Sequence, residues 1–246
     1  MPALVWEVQV AGSASDLAHL SRWFRGPPTV VWFDERDLCY LVGDDSFQQL
    51  EESSEVWVAA GEVLAVLSGV LKLIRNADET LKTGAVYLRH PDGRRDVFVS
   101  LTPAAIRLEA GEAVACVTSK DGRTVMLSSP SSPTRSLATA ARTDLLVSKA
   151  LRLYGSDGSS WVGLYRVHEV IEEDVGDERR MLRRAWGEPG QLKRFKHSAN
   201  SVAVAGDSAR HGKENSMPPS SPMSLTEAKS YLSHVLRSWL REKNAV

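Results

Sequence analysis

Arg194, His197, Asn200, Arg210 and His211 are the residues of this 246-residue chain whose types and spacing could do chemistry. Arg194 and His197 stand three apart and Asn200 follows three later, so on a helix the three share one face. Lys193 and Lys196 add charge beside them. The turn from Ala205 to Gly212 then sets a guanidinium and an imidazole next to each other between two glycines, which permit positive φ and close approach. A guanidinium forks onto one phosphate through two N–H groups, and imidazole transfers protons near neutral pH. Read as a cleavage kit, His211, Arg210 and Asn200 are the catalytic group. Read as a binding kit, Arg194, His197, Lys193 and Lys196 hold RNA or another phosphate-bearing ligand. A bracing role, with Asn200, Asp207 and Arg210 bonded to loop backbone between the last two helices, is the competing expectation.

Other chemistries lack their signatures. No phosphate-cradling Gly-rich loop, dinucleotide fingerprint, His-Glu-x-x-His, Cys-x-x-Cys or Gly-x-Ser-x-Gly occurs, so neither a metal site nor a cofactor is expected. Glu172, Glu173 and Asp174 precede Gly176 and read as a solvated helix end. His168 lies on an apolar helical face with Leu164, Tyr165 and Ile171 and reads as a packed histidine. Tyr165 and Glu169 are placed to join the same cluster. Cys39 and Cys116 sit in apolar surroundings and read as buried thiols.

Charge is unevenly spread. The chain carries net −1, yet from Arg179 onward 13 Lys/Arg face 5 Asp/Glu, net +8, which leaves −9 upstream. Such asymmetry points to a polyanionic partner, or to an acidic part packed on a basic one. The most apolar stretch, Val56 to Ile74, is broken by Glu62, Ser68 and Lys72, so no membrane span is expected. The first residues lack a positive n-region before an apolar segment, and a cytoplasmic location is expected.

The elements that must position these residues are legible in turn. Trp6 to Val10 alternates at period two and reads as a strand. A helix follows with Ser15 or Asp16 as N-cap, Leu17, Leu20, Trp23 and Phe24 on one face, and Gly26-Pro27-Pro28 as stop. Thr29 to Phe33 and Leu38 to Val42 form a hairpin, and Val56 to Ile74 a long helix. Ala85 to Arg89 pairs with Asp96 to Leu101, and Val114 to Thr118 with Thr124 to Leu127, each around an Asp-Gly turn. The fold class is α+β: an antiparallel-sheet α+β domain over residues 1–127, a Ser/Pro linker over 128–134, and an all-α bundle over 135–246. Five bundle helices are expected, at Ala138 to Tyr154, Trp161 to Ile171, Glu178 to Trp186, Leu192 to Val204 and Leu225 to Leu240. Ser224 and Glu227 make a capping box for the last.

From Arg135 onward the pattern resembles the HEPN superfamily, the all-helical domains of bacterial defence and toxin systems. The residues carrying the resemblance are Trp161, Leu164, Tyr165 and Glu169 on one helix, the Asn200 to Arg210-His211-Gly212 segment, and a final helix with Glu227-Ala228 and Trp239-Leu240. The resemblance implies RNA as partner and a role in defence or stress response. It also implies a homodimer or a protein partner, since many members are metal-independent RNases whose Arg and His, four to six residues apart, meet across a dimer. Neither Arg194 with His197 nor Arg210 with His211 has that spacing, which moves the expectation from catalysis to binding. A metal-independent RNase and a non-catalytic interaction subunit stand as the alternatives.

Overall fold

The computed structural model describes residues 5–99, 132–210 and 220–243. The expected hairpin over 114–127, Cys116, most of the Ser/Pro linker and His211 with Gly212 lie outside the described residues. The fold is α+β, with an antiparallel six-stranded sheet in the N-terminal half and helices in the C-terminal half. It divides into two compact units, residues 1–64 with 81–135 and residues 65–80 with 136–246.

In the first unit, β1 (Val5–Ala11), α1 (Ala14–Trp23), β2 (Arg25–Gly26), β3 (Thr29–Asp34) and β4 (Cys39–Asp44) precede the start of α2 (Ser53–Arg75). β5 (Lys82–Arg89) and β6 (Arg95–Phe98) then complete a sheet of order β2-β3-β4-β1-β5-β6. The period-two pattern of β1 buries Trp6, Val8 and Val10 on one face. Glu7, on the opposite face, is also fully buried. It lies 2.7 Å from Arg89 and 3.3 Å from Arg95. Burial pushes its carboxyl up, and the two guanidinium groups offset part of that rise. Arg95 also reaches Asp34 at 2.5 Å and Asp37 at 2.8 Å, so an ion-pair network crosses the sheet. α1 begins two or three residues earlier than the sequence suggests, because Ser13 Oγ, not Ser15 or Asp16, accepts the Asp16 amide at 3.2 Å and serves as N-cap.

α2 shows an 18-residue window of mean hydropathy 1.8, long and apolar enough by length and composition to cross a membrane. This corrects the expectation that no segment qualifies. Half of that window is buried inside the protein, as in a core helix.

Besides the residues from Ser136 onward, the helical unit takes the last turns of α2. Val70 and Leu73 join a core built by Leu151, Leu164, Ile171, Phe195, Leu232 and Trp239. Gly69 and Gly155 make this crossing feasible. A Cβ on Gly155 would meet the Ala65 carbonyl and come within 2.6 Å of the Gly69 amide, while one on Gly69 would strike the Leu151 carbonyl. Lys72 lies buried here, and its ammonium donates to the Gly155 carbonyl at 2.6 Å and to Thr80 Oγ1 at 3.1 Å. The lysine that interrupts the apolar pattern of α2 thus satisfies the end of a neighbouring helix.

The expected helix from Ala138 to Tyr154 is two, α3 (Pro133–Thr143) and α4 (Leu145–Asp157). Asp144 adopts an extended backbone between them and accepts the Leu146 and Val147 amides at 2.9 and 3.1 Å. α5 (Trp161–Val175) starts at the Ser160 cap and ends at Gly176, whose φ of 105° is open to glycine. α6 (Glu178–Arg183), α7 (Pro189–Asn200), α8 (Val202–Ala205), a 3-10 turn (Gly206–Ser208) and α9 (Leu225–Glu242) follow. The expected segment Leu192 to Val204 therefore breaks at Ser201, and α9 carries the expected Ser224/Glu227 capping box. Gly155→Ala should cost about 1–3 kcal/mol of stability in thermal or urea unfolding, because the methyl group has backbone rather than a yielding side chain in its way.

Candidate functional site

The segment from Lys193 to Arg210 is positioned by Phe195, which inserts from α7 into an aromatic cluster. Its ring stacks on Tyr165 at 5.9 Å and lies 6.3 Å from Trp161, 5.7 Å from Tyr231 and 5.8 Å from His168. With Leu192, Phe195 and Ala199 facing the core, helical spacing directs residues 193, 194, 196 and 197 toward the rim.

These rim residues do not converge. Arg194 turns toward the approach to α9. Its Nε donates to the Ser221 carbonyl at 3.0 Å and Nη2 to the Pro222 carbonyl at 3.3 Å, with Glu227 at 3.5 Å. Lys196 points the other way, donating to Glu178 at 2.7 Å and lying 3.8 Å from Glu172. Burial pushes the Lys196 ammonium down, but Glu178 and Glu172 outweigh it and hold it above the ordinary lysine value. Lys193 and His197 are exposed. Asn200 ends α7 and is half-buried.

Arg210 is brought back onto α5. Its amide donates to the Ala199 carbonyl at 2.9 Å, its guanidinium donates to Glu169 at 2.5 Å, and its Cζ lies 4.2 Å from the centre of the Tyr165 ring. This is the geometry of a brace between α5 and the turn after α7, and it occupies the fork that a phosphate would need.

His168 is fully buried, edge-on to both Tyr165 and Phe195. Its Nε2 lies 3.1 Å from Glu172 Oε2, an electrostatic contact one helical turn along α5 in which neither ring nitrogen forms an aligned hydrogen bond among the described residues. The His168 imidazole, against the smaller effect of burial and with help from Lys196, holds the Glu172 carboxyl below its ordinary value. Glu172 was read from sequence as part of a solvated helix end. Its partners come from α5 itself and from α7, and the only sequence signal was its spacing of four from His168.

Chemically, the arrangement neutralises charge. Arg194, Lys196 and Arg210 each meet a carboxylate, and Lys243 meets Asp144 at 2.8 Å and Asp174 at 2.7 Å. No group of three or more His, Cys, Asp or Glu side chains is placed to hold a metal among the described residues. Comparison with protein-family models, with curated proteins and with solved structures found no match.

Two outcomes test this geometry. Arg210→Ala should lower stability by at most about 1 kcal/mol, the range of a partly exposed ion pair with a cation–π contact, as read from urea unfolding. For Glu172, a depressed folded value means its contribution is present above the ordinary value of 4.5 and is lost as pH falls through the folded value. Melting temperature should therefore drop less steeply below pH 5 in Glu172→Gln than in the parent protein.

Proposed function

We propose that the helical unit is a non-catalytic, HEPN-like module that binds RNA or another phosphate-bearing polyanion through the outer faces of α6 and α7. The observation that carries this reading is a pair of exposed basic positions on each helix. Lys193 and His197 stand four apart on α7, and Arg179 and Arg183 stand four apart on α6; none of the four has a carboxylate partner among the described residues. Side chains four apart share a helical face, which suits contact with successive phosphates. The unit that carries them has 19 Lys/Arg against 15 Asp/Glu, net +4, so its long-range field also favours an anion.

Binding rather than cleavage is favoured because Arg210 is committed to Glu169 and Tyr165, and because Arg194 is committed to the backbone before α9. A partner in bacterial defence or stress response fits the same reading through the resemblance alone.

Binding of a fluorescent single-stranded RNA, followed by anisotropy, tests the proposal. Contact with about four phosphates predicts roughly a 50-fold loss of affinity between 50 and 200 mM salt. Replacing Arg179, Arg183, Lys193 and His197 together by Ala should flatten the salt dependence, and the RNA should stay intact throughout. Absence of binding at 50 mM salt, or an unchanged salt slope in the quadruple variant, rejects the reading.

A further inference from the structure

α5, α6 and α7 meet at a short chain of charges that begins in the core and ends beside the polyanion face. His168 Nε2 lies 3.1 Å from Glu172 Oε2, Lys196 Nζ lies 3.8 Å from the same oxygen, and Lys196 donates onward to Glu178 at 2.7 Å. The inner end is closed, with the His168 side chain fully buried, whereas the Glu178 side chain at the outer end is 44% exposed. Glu178 immediately precedes Arg179 on α6, and Lys196 immediately precedes His197 on α7. The outer members of the chain therefore adjoin both basic pairs.

With a neutral imidazole this chain holds two carboxylates against one ammonium, net −1. No other Lys or Arg forms an ion pair with Glu172 or Glu178 among the described residues. His168 is the one member able to supply the missing positive charge, by taking a proton from solvent. Both its ring nitrogens lack an aligned hydrogen bond among the described residues, an uncommon state for a polar ring at zero exposure. A positive charge on the ring turns its contact with Glu172 into a charge-assisted one. The Tyr165 and Phe195 rings, centred 5.7 and 5.8 Å away, are close enough for cation–π attraction. Burial works against a charged ring, and the carboxylate and the two aromatic rings act against that cost. The other ionisable groups around the ring are Tyr165 with Arg210 over it, Lys196 from α7, Glu178 from α6, and Tyr231 of α9 on the Phe195 ring.

We propose that His168 is a buried proton sensor of the polyanion face. Across the neutral range in which imidazole changes charge, its protonation balances Glu172 and removes the net negative charge held beside Arg179, Arg183, Lys193 and His197. The inference rests on the polyanion-binding reading and adds regulation to it. The imidazolium claims the Glu172 oxygen that Lys196 shares, which leaves Lys196 balanced by Glu178 alone and the whole chain neutral. Phosphate binding at the face then strengthens as pH falls.

Two measurements between about pH 5.5 and pH 8 test this, ring NMR of the 13C,15N-labelled free protein and anisotropy of the fluorescent single-stranded RNA. The His168 ring, assigned through its backbone, should titrate in the free protein, and in Glu172→Gln its transition should move to lower pH. RNA affinity is read in a His197→Gln background, so that the exposed histidine of the face does not titrate. There it should rise about threefold from the top to the bottom of the range, the scale of one exposed charge pair. Adding Glu172→Gln, which keeps the shape of the side chain and removes its charge, should raise affinity at the alkaline end and flatten the rise. Every other histidine contributes alike to both proteins. A His168 ring that does not titrate, or a rise that Glu172→Gln leaves unchanged, overturns the proposal while polyanion binding stands. Absence of RNA binding by the parent protein at every pH rejects the polyanion reading and this regulation with it.

Discussion

The carboxylates of α5 are the constraint on which the helical unit depends. One face of this helix buries Leu164, Val167 and Ile171, and its rim carries Glu169, Glu172 and Asp174. Basic side chains from far along the chain end on that rim: Arg210 on Glu169, Lys196 near Glu172, and Lys243 on Asp174. Single exposed ion pairs contribute little, but several sharing one helix fix the azimuth at which the later elements dock on it. The aromatic cluster around Phe195 supplies the apolar attraction, and the acidic rim selects the register.

This arrangement changes the meaning of the charge asymmetry. Split by position in the chain, the protein reads −9 before Arg179 and +8 after it; split by compact unit, it reads −5 and +4. The difference arises because the helical unit contains Glu169, Glu172, Glu173 and Asp174 of α5 and the Asp177 and Glu178 that follow, and several of these meet the basic segment within the same unit. Linear sequence cannot distinguish a cation that seeks a partner molecule from one that meets Glu169 from forty-one residues away.

The α+β class and most elements were readable from periodicity and caps, since the period-two runs of β1, β3 and β4 and the stripe of α9 encode their burial directly. What escaped was set by tertiary contact. Lys72 looks like an interruption until its ammonium is seen on the Gly155 carbonyl, and Glu7 looks like the outward position of an alternating strand until Arg89 and Arg95 close over it. Asp144 was hidden inside an otherwise continuous helical pattern, although an Asp preceding Leu145 is a legitimate cap. In the candidate site, the shared face of Arg194, His197 and Asn200 was correctly a matter of helical spacing. Their separate destinations were not, because long side chains choose among partners that only the packed neighbours supply.

Asp144 also ties two times in the life of the chain together. One oxygen caps the first turn of α4, and the other accepts a hydrogen bond from Lys243, ninety-nine residues later. During synthesis on a ribosome, the cap bonds need only residues two and three places along the chain. The ammonium that neutralises the capping carboxylate arrives only when α9 has emerged. Until then the carboxylate is held by the Leu146 and Val147 amides at the helix N-terminus alone, and its ion pair is completed only as the final helix packs.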